Sequence, residues 1–430
     1  MTPRSLVAAA AVLAACHTSF PAPQNLALPH ATPASLGFDS AALARVAAYV
    51  AGQVDSAYPG AVVVVGRHGR LALLAAAGHY GVDDPRPVDP ATIYDLASLT
   101  KVVGLTTACL LLVNEGKLNL DAPVGAYLPE FQGTDKDKVT IRHLLTHSSG
   151  LPAWRPLFKE AATRAAALVL VDTTPLARAP GDSFIYSDLG AITLAQVVER
   201  ITGERLDRYL ARRVFDPLGM TATRYLPPRR WHARIAPTEN DSVFRRRMIH
   251  GEVHDENAGR LGGVSGHAGL FSNAPDLARY AAWLLDLWHG RPITVQPDWG
   301  LVGDAPSGDS PRARLAGNVP PLPIGRPALP APRGEVVRDF TRRQGVPPGS
   351  SRALGWDTPT QPSSAGTRLS ARAFGHTGFT GTSIWIDPEK DLFIILLTTR
   401  VHPTRQNPRI LRVRPKVADL VVEALVDSAR

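Results

Sequence analysis

The chain has 430 residues, of which 44% are hydrophobic and 20% charged, and its formal net charge is +9 at pH 7. This composition predicts a folded protein with a large core, as one large domain or two closely packed subdomains. The positive charge lies in scattered arginines rather than in a basic block interleaved with aromatic residues, so nucleic-acid binding is not expected. The cysteines, Cys16 and Cys109, offer no zinc site of the CxxC kind.

The N-terminus carries the features of a targeting segment. Arg4 precedes an apolar run at residues 6–13 that is too short to span a membrane. The sequence Leu13-Ala14-Ala15-Cys16 resembles the bacterial lipobox, which implies a lipoprotein signal peptide at residues 1–15 and lipidation of Cys16. The alternative is an ordinary signal peptide with a chance cysteine. A lipid on Cys16 would be the membrane anchor.

The resemblance to a lipoprotein predicts a location in the cell envelope, facing the periplasm. Residue 17 is histidine rather than aspartate, which favours the outer membrane if the host is Gram-negative. Residues 16–34 are rich in proline, alanine and threonine and predict a tether.

Residues 35–430 predict a single domain of the α/β (α+β) class. Hydrophobic periodicity predicts a helix near each end of this region. Next to each of these helices, on the side toward the middle of the chain, a β-hairpin is predicted. The two hairpins predict one antiparallel sheet built from both ends of the chain and flanked by helices. The predicted elements are a helix at 39–54, strands at 61–65, 71–77, 382–386 and 392–397, and a helix at 417–426.

The middle of the chain predicts helices and one long irregular segment. An apolar run at residues 102–113 predicts a buried helix. Residues 118–235 predict a mainly helical insert, with helices at 157–170 and 190–213. The dense proline, glycine and arginine content of residues 291–350 predicts a long or partly disordered loop.

Ser98 and Lys101 lie at the start of the buried helix. Residues three apart share one helix face, so the Lys101 amine can reach the Ser98 hydroxyl and act as its candidate base. The helix N-terminus would also favour an oxyanion. The alternative makes Ser98 a helix cap and Lys101 a solvated residue.

Tyr186 and Asp188 form a second candidate pair. Residues two apart in an extended segment point to the same side. A phenol beside a lysine ammonium loses its proton more readily, so Tyr186 is a candidate general base or proton shuttle. The alternative is an ordinary turn with a half-buried tyrosine.

A glycine-rich segment, His376-Thr377-Gly378-Phe379, precedes the strand predicted at 382–386. Its glycines allow a backbone to approach a substrate closely. The Phe379 and Ser98 N–H groups could form an oxyanion hole, and His376 and Thr377 could bind a substrate carboxylate or carbonyl. The alternative is a glycine-rich turn into an edge strand.

Together these three motifs resemble those of the serine β-lactamase and penicillin-binding protein superfamily. The set is most similar to its class C branch, which also holds D-alanyl-D-alanine carboxypeptidases and esterases. The segments 251–258 and 262–269 resemble the enzymes known as penicillin-binding protein 4B. The resemblance implies a β-lactamase/transpeptidase-like fold, peptidoglycan peptides, small acyl compounds or β-lactams as partners, and no cofactor.

The resemblance also implies roles for individual residues. Ser98 would be acylated, and Lys101 and Tyr186 would move protons. The Ser98 and Phe379 N–H groups would hold the oxyanion, while His376 and Thr377 would hold the carboxylate side of the substrate.

Two residues depart from the family pattern. Asp188 stands where the family usually has asparagine, and an ionised carboxylate can only accept hydrogen bonds. We expect Asp188 to keep Lys101 charged, so that Lys101 supports a Tyr186 phenolate electrostatically. His376 replaces a lysine, which makes positive charge there depend on pH. Both departures argue against efficient β-lactam hydrolysis.

Several histidines raise the question of a metal site. His250, His254, Asp255 and His267 are possible ligands, but the surrounding glycines predict loops and the resembling family needs no metal. We expect no metal, and predict that His254 and Asp255 form a wall of the substrate pocket, with a solvated or structural role as the alternative. His147 is expected to brace a loop.

The sequence therefore predicts a serine hydrolase that forms an acyl-enzyme on Ser98. A D-alanyl-D-alanine carboxypeptidase-like activity on peptidoglycan peptides comes first. An esterase or a class C-like β-lactamase is the close alternative, because fold and nucleophile do not determine the acyl donor. A protein of another class, which binds penicillin or muropeptides without turnover, is the third possibility.

Overall fold

A computed structural model describes residues 28–293, 328–360 and 362–426. The predicted signal peptide, Cys16 and the tether up to residue 27 lie outside the described residues. The end of the predicted tether is part of the domain instead. Leu28 is buried, and the Ala31 N–H donates to the Leu71 carbonyl at 3.0 Å.

The helices and strands follow in chain order. The α-helices of the described residues are α1 Ser40–Ala51, α2 Thr107–Asn114, α3 Ile141–Leu145, α4 Leu157–Glu160, α5 Arg164–Thr173, α6 Asp188–Thr202, α7 Leu206–Leu210, α8 Glu256–Arg260, α9 Ala274–His289, α10 Gly334–Thr341 and α11 Ile410–Glu423. The strands are β1 Gly60–Arg67, β2 Arg70–Gly81, β3 Asp84–Pro87, β4 Tyr94–Asp95, β5 Arg224–Tyr225, β6 Asn240–Asp241, β7 Arg247–Met248, β8 Leu270–Ser272, β9 Phe374–Thr377, β10 Ser383–Asp387 and β11 Leu392–Thr398.

The main sheet has six strands in the order β3-β2-β1-β11-β10-β9. Its neighbouring strands are antiparallel, and the first and last parts of the chain meet at its centre, where Val63 of β1 pairs with Leu396 of β11. The prediction of one antiparallel sheet built from both chain ends is therefore confirmed. This order places β9, which carries His376 and Thr377, at one edge.

Both faces of the central strands are buried. Alternate residues of a strand point to opposite faces. Val63 and Val65 therefore pack with the terminal helices α1 and α11, whereas Val62 and Val64 face the larger core that holds α2 and α9. Burial on both faces explains why β1 contains an uninterrupted run of valines.

The buried helix that begins near Ser98 changes its winding along its length. A 3₁₀ turn at Ala97–Leu99 leads into a π-helical turn at Lys101–Thr106 and then into α2. The whole segment Ala97–Asn114 is long and apolar enough to cross a membrane, but 83% of it is buried inside the protein. A helix that is apolar all round belongs in a core of this kind.

Three predicted elements differ from the structure. The helix predicted at 157–170 is interrupted between α4 and α5, where Thr163 caps α5 by accepting from the Ala166 N–H at 3.2 Å. The helix predicted at 190–213 is interrupted at Gly203, which has a left-handed backbone (φ +68°). The segment 291–350 contains α10, so the prediction of a loop was wrong there; its residues 294–327 lie outside the described residues.

Candidate active site

Ser98 lies in the tight connection between β4 and the buried helix. The preceding residue, Ala97, has φ +45°, a conformation that non-glycine residues rarely adopt. The Asp95 carboxylate stabilises this connection by accepting from the N–H groups of Ala97 at 2.8 Å and His254 at 2.7 Å. The serine is therefore presented on a rigid turn, with its position determined by buried hydrogen bonds.

Lys101 is 3% exposed and has three acceptors. Its ammonium donates to Ser98 Oγ at 3.1 Å, to Asp188 Oδ1 at 2.7 Å and to the His267 carbonyl at 3.3 Å. Burial lowers the pKa of Lys101, but the negative charge of Asp188 and the nearby Tyr186 outweigh burial, and the pKa is raised above its ordinary value. Lys101 is therefore charged, as expected from the Asp188 substitution.

Tyr186 and Asp188 meet at Lys101 from the N-terminal end of α6. Asp188 is the first residue of that helix, and the Lys101 Nζ atom lies 4.7 Å from the centre of the Tyr186 ring. The structure thus brings Ser98, Lys101, Tyr186 and Asp188 into one cluster. The Tyr186 phenol therefore lies beside the ammonium that is hydrogen-bonded to Ser98 Oγ.

His147 braces the segment that carries Tyr186. Its carbonyl accepts from the Ile185 N–H at 2.8 Å, and its ring Nδ1 accepts from the Ser187 N–H at 3.1 Å. The His147 and Tyr186 rings are 4.6 Å apart. Burial, and then the charge of Arg352, hold the pKa of His147 well below its usual range, so the ring is neutral. The structure gives His147 the bracing position expected from the sequence.

The turn between β9 and β10 packs directly on the Ser98 connection. Thr380 Oγ1 donates to the Asp95 carbonyl at 2.8 Å, and Thr382 Oγ1 donates to the Leu96 carbonyl at 3.1 Å. A Cβ atom on Gly378 would lie 2.4 Å from the Leu96 carbonyl, so only glycine fits. This contact holds the turn that carries Phe379 against the connection that carries Ser98, and both residues line one cleft.

His376 is a neutral side chain in this structure. The ring is 4% exposed, and its Nδ1 pairs with the Thr377 carbonyl at 2.8 Å. Burial, and then the charges of Arg352 and Lys101, hold the pKa of His376 well below its usual range. The charge of His376 was expected to depend on pH, and burial and the neighbouring cations move that dependence to lower pH.

Arginines line the cleft above Ser98. The cleft has a volume of about 480 Å³ and contains Ser98, Tyr186, Thr377, Gly378 and Phe379 in its walls. The motif-based prediction did not include its charged residues, which come from distant parts of the chain. They are Arg352, Asp357, Arg400 and Arg414.

Arg352 lines the same cleft as His376, which stands at the position of the missing lysine. Its guanidinium lies 5.5 Å from the Tyr186 ring and 5.0 Å from the Phe184 ring. The segment that carries it is tied to β9, because Asp357 and Gly375 exchange two backbone hydrogen bonds of 2.9 Å. Arg352 is also 3.9 Å from the Asp357 carboxylate. No local motif marks Arg352, and only the excess of arginine hinted at such a group.

The prediction that His254 and Asp255 form a wall of the substrate pocket was wrong. His254 is buried, pairs with Glu239 at 2.8 Å and lies behind Phe379, with 5.7 Å between the two rings. Asp255 caps α8 through the Ala258 N–H at 2.7 Å and accepts from His267 at 2.8 Å. Both residues therefore support the site from beneath rather than contacting the cleft.

The polar atoms of Asp188, Asp255 and His267 lie within 4.8 Å of one another, a spacing that a metal ion could occupy. Each of these atoms already has a protein partner. Lys101 pairs with Asp188, and His267 pairs with Asp255. His250 and His254, considered with them in the sequence, bond elsewhere, to backbone carbonyls and to Glu239.

A serine on a helix N-terminus, a buried ammonium beside it and a phenol in contact define a serine hydrolase that works through an acyl-enzyme. Comparison with known proteins agrees with this class. The family model "Beta-lactamase" matches residues 45–418, and the chain belongs to this family.

A relative from Salmonella typhi, named "Putative D-alanyl-D-alanine carboxypeptidase", is 31% identical over 422 residues, covering 88% of each chain. Two solved structures share the fold. The hydrolase EstCE1, described as having promiscuous acyltransferase activity, has a TM-score of 0.65 at 20% identity and covers 89% of this chain and 99% of its own. A β-lactamase/D-alanine carboxypeptidase from Pseudomonas syringae has a TM-score of 0.63 at 18% identity, covering 92% and 99%.

The Lys101–Asp188 pair makes a testable prediction about pH dependence. Replacing Asp188 by asparagine removes a negative charge, which lowers the pKa of neighbouring acids. We expect both limbs of the kcat/KM profile to move to lower pH, by about one unit. The measurement is a pH–rate profile with an activated ester. The control is Asp182→Asn, which replaces an exposed residue in the segment that precedes α6. An unmoved profile in Asp188→Asn would contradict the role given to this carboxylate.

Proposed function

We propose that the protein is a D-alanyl-D-alanine carboxypeptidase-like enzyme that acts on peptidoglycan peptides. The observation that carries the proposal is the cationic cleft above Ser98, lined by Arg352, Arg400 and Arg414 with Asp357 as its acidic residue. Such a cleft suits an acyl donor that ends in a carboxylate. The names of the Salmonella relatives support the same choice.

Acylation uses the groups that meet at Lys101. Ser98 Oγ attacks the carbonyl carbon of the scissile amide as its proton passes to the Tyr186 phenolate. The Ser98 and Phe379 N–H groups stabilise the oxyanion. The C–N bond then breaks, and Tyr186 returns the proton to the leaving amine. Lys101 stays charged throughout.

Deacylation reverses these proton movements with water. A water molecule loses its proton to Tyr186 and attacks the ester carbonyl. The C–O bond to Ser98 then breaks, and Ser98 Oγ regains a proton from Tyr186. Lys101, hydrogen-bonded to Ser98 Oγ at 3.1 Å, stabilises the departing alkoxide.

Carboxylate recognition falls to Arg352 in this proposal. His376, at the position of the family's lysine, is held neutral by burial and by neighbouring cations, as its lowered pKa indicates. Arg352 lines the cleft beside His376 and carries a permanent charge in a planar, two-pronged donor group. A guanidinium of this kind binds a carboxylate through two parallel hydrogen bonds.

An esterase is the second candidate. Phe379 is 48% exposed and Leu411 is 67% exposed, and both line the cleft. These apolar walls would accept the acyl group of a simple ester without a carboxylate. A class C-like β-lactamase and a binding protein without turnover use the same nucleophile, and the experiments below distinguish them by the deacylation rate.

The nucleophile is tested by intact-protein mass spectrometry after incubation with a penicillin. We expect an adduct of the penicillin mass on wild type and none on Ser98→Ala. A long-lived adduct indicates slow deacylation, typical of a peptidase or a binder. Penicillin consumption without an adduct would indicate a β-lactamase.

Turnover separates the enzyme from the binder. We expect wild type to release D-alanine from a peptide that ends in D-Ala-D-Ala, with Ser98→Ala inactive as the control. Hydrolysis of p-nitrophenyl esters without D-alanine release would overturn the peptidase proposal in favour of the esterase.

Arg352→Gln tests carboxylate recognition. We expect KM for a D-Ala-D-Ala peptide to rise about 10-fold to 100-fold, since a charge-assisted hydrogen bond contributes about 1.5–3 kcal/mol. The same change should leave KM for the C-terminally amidated peptide within about two-fold, because that peptide lacks the charge that Arg352 binds. Equal losses with both peptides would assign Arg352 a purely structural role.

We also propose that the protein is a lipoprotein of the cell envelope that faces the periplasm, most simply in the outer membrane. The proposal is supported by Leu13-Ala14-Ala15-Cys16, with cleavage before Cys16. Expressed in a Gram-negative host, wild type should fractionate with membranes and incorporate labelled palmitate. Cys16→Ser should lose the label, and recovery of labelled Cys16→Ser would contradict the proposal.

A further inference from the structure

The third hydrogen bond of Lys101 leads to a part of the chain that the mechanism above does not use. A lysine ammonium has three N–H donors. Ser98 and Asp188 accept two of them through their side chains, and the third goes to the backbone carbonyl of His267. The direction of this carbonyl therefore contributes to where the Lys101 charge lies.

The His267 ring is locked from both sides. It is 1% exposed. Its Nδ1 pairs with Ser265 Oγ at 2.7 Å, and its Nε2 pairs with Asp255 Oδ1 at 2.8 Å. Burial raises the pKa of Asp255, but the interactions of its carboxylate with His267 and with the Ala258 N–H outweigh burial and hold the pKa below its ordinary value, so Asp255 is ionised. An ionised carboxylate only accepts, so His267 Nε2 carries the proton.

The backbone around His267 is tied to the helix that carries Asp188. A Cβ atom on Gly266 would lie 2.3 Å from the Ala191 carbonyl of α6, so the chain passes directly against this helix. Asp255 is tied in turn to α8, which it caps through Ala258. The carbonyl of His267 and the carboxylate of Asp188 thus reach Lys101 from one packed unit.

We propose that His267, held by Ser265 and Asp255, is a positioning residue that directs the Lys101 ammonium toward Ser98 and Tyr186. This inference rests on the proposed function, because it gives Lys101 its electrostatic role. His267 acts through its carbonyl and does not touch the substrate. The Ser265–His267–Asp255 chain has the residue types of a catalytic triad, but its serine is 5% exposed and lies outside the Ser98 cleft.

The pH dependence of Lys101 reflects every titratable or charged group that faces it. Asp188 and Tyr186 face it from the start of α6, and His267 with Asp255 from the adjoining segment. Three further charged or titratable groups interact with Lys101 or Tyr186. They are His147, His376 and Arg352.

The test is the rate at which a fluorophosphonate probe labels Ser98 in the purified full chain, measured across pH. We expect His267→Ala to label about 100-fold more slowly, because a misplacement of about 1 Å in a catalytic group costs that much. Its alkaline limb should move to lower pH, because the carbonyl of residue 267 would no longer be directed at Lys101. Glutamine can still donate to Asp255, so His267→Gln should recover most of the rate.

Asp255→Asn provides a second variant that retains the helix cap, because asparagine caps as well as aspartate does. We expect slower labelling and the same direction of shift. Combined with His267→Ala, it should add no further loss, since both changes break one chain of contacts. The matched control is the double variant His79→Gln/Asp55→Asn. In the wild type these two residues form a histidine–carboxylate pair at the surface, with the same 2.8 Å distance.

The outcomes separate the two proposals. A wild-type rate and unmoved profile in His267→Ala and Asp255→Asn would overturn the positioning role while leaving the nucleophile intact. A wild-type protein that does not label at Ser98 would overturn the proposed function and this inference with it. If His267→Ala does not fold, His267→Gln is compared with His267→Asn, because the shorter asparagine cannot reach Asp255. Equal labelling rates and pH profiles in these two variants would overturn the positioning role.

Discussion

The buried charge of Lys101 is the constraint on which the site depends. An ammonium that is 3% exposed is stable only with acceptors around it, and Asp188 supplies the charged one at 2.7 Å. Breaking a buried pair on one side leaves an uncompensated charge, so neither residue can change alone without cost. In the proposed mechanism this aspartate, which departs from the family pattern, keeps Lys101 as a cation and leaves proton transfer to Tyr186.

This pair also joins the buried helix to the helical insert. Lys101 belongs to the buried helix beneath the sheet, whereas Asp188 begins α6 of the helical insert. The turn after β9 closes the third side, where Gly378 leaves no space for a side chain against Leu96. The nucleophile and the cation thus come from one segment and the phenol from a second, and the turn after β9 packs against the Ser98 connection as a third.

The positive charge of the cleft comes from arginines rather than from His376. A neutral His376 removes the cation that the family motif supplies, and Arg352 lies beside it on a segment bonded to β9. The same arginine contributes to the low pKa values of His376 and His147. In this cleft the positive charge therefore lies on a segment next to the edge strand rather than on the edge strand itself.

Helices and strands that have a clear hydrophobic pattern could be predicted from the sequence. Period-two and continuous apolar runs predicted both hairpins, helix periodicity predicted the terminal helices, and the spacing of Ser98 and Lys101 placed them on one helix face. These patterns predicted four of the six strands of the main sheet, whereas β3 and β9 were not predicted as strands. Tertiary structure alone decided the rest. Arg352 and Arg414 reach the cleft from segments far from any motif. His254 and Asp255 lie beneath the cleft because they bond to Glu239 and His267, which no spacing in the chain reveals. The charge states of His376 and Lys101 depend on burial and on neighbours brought together by folding, and a sequence specifies residue types without specifying those surroundings.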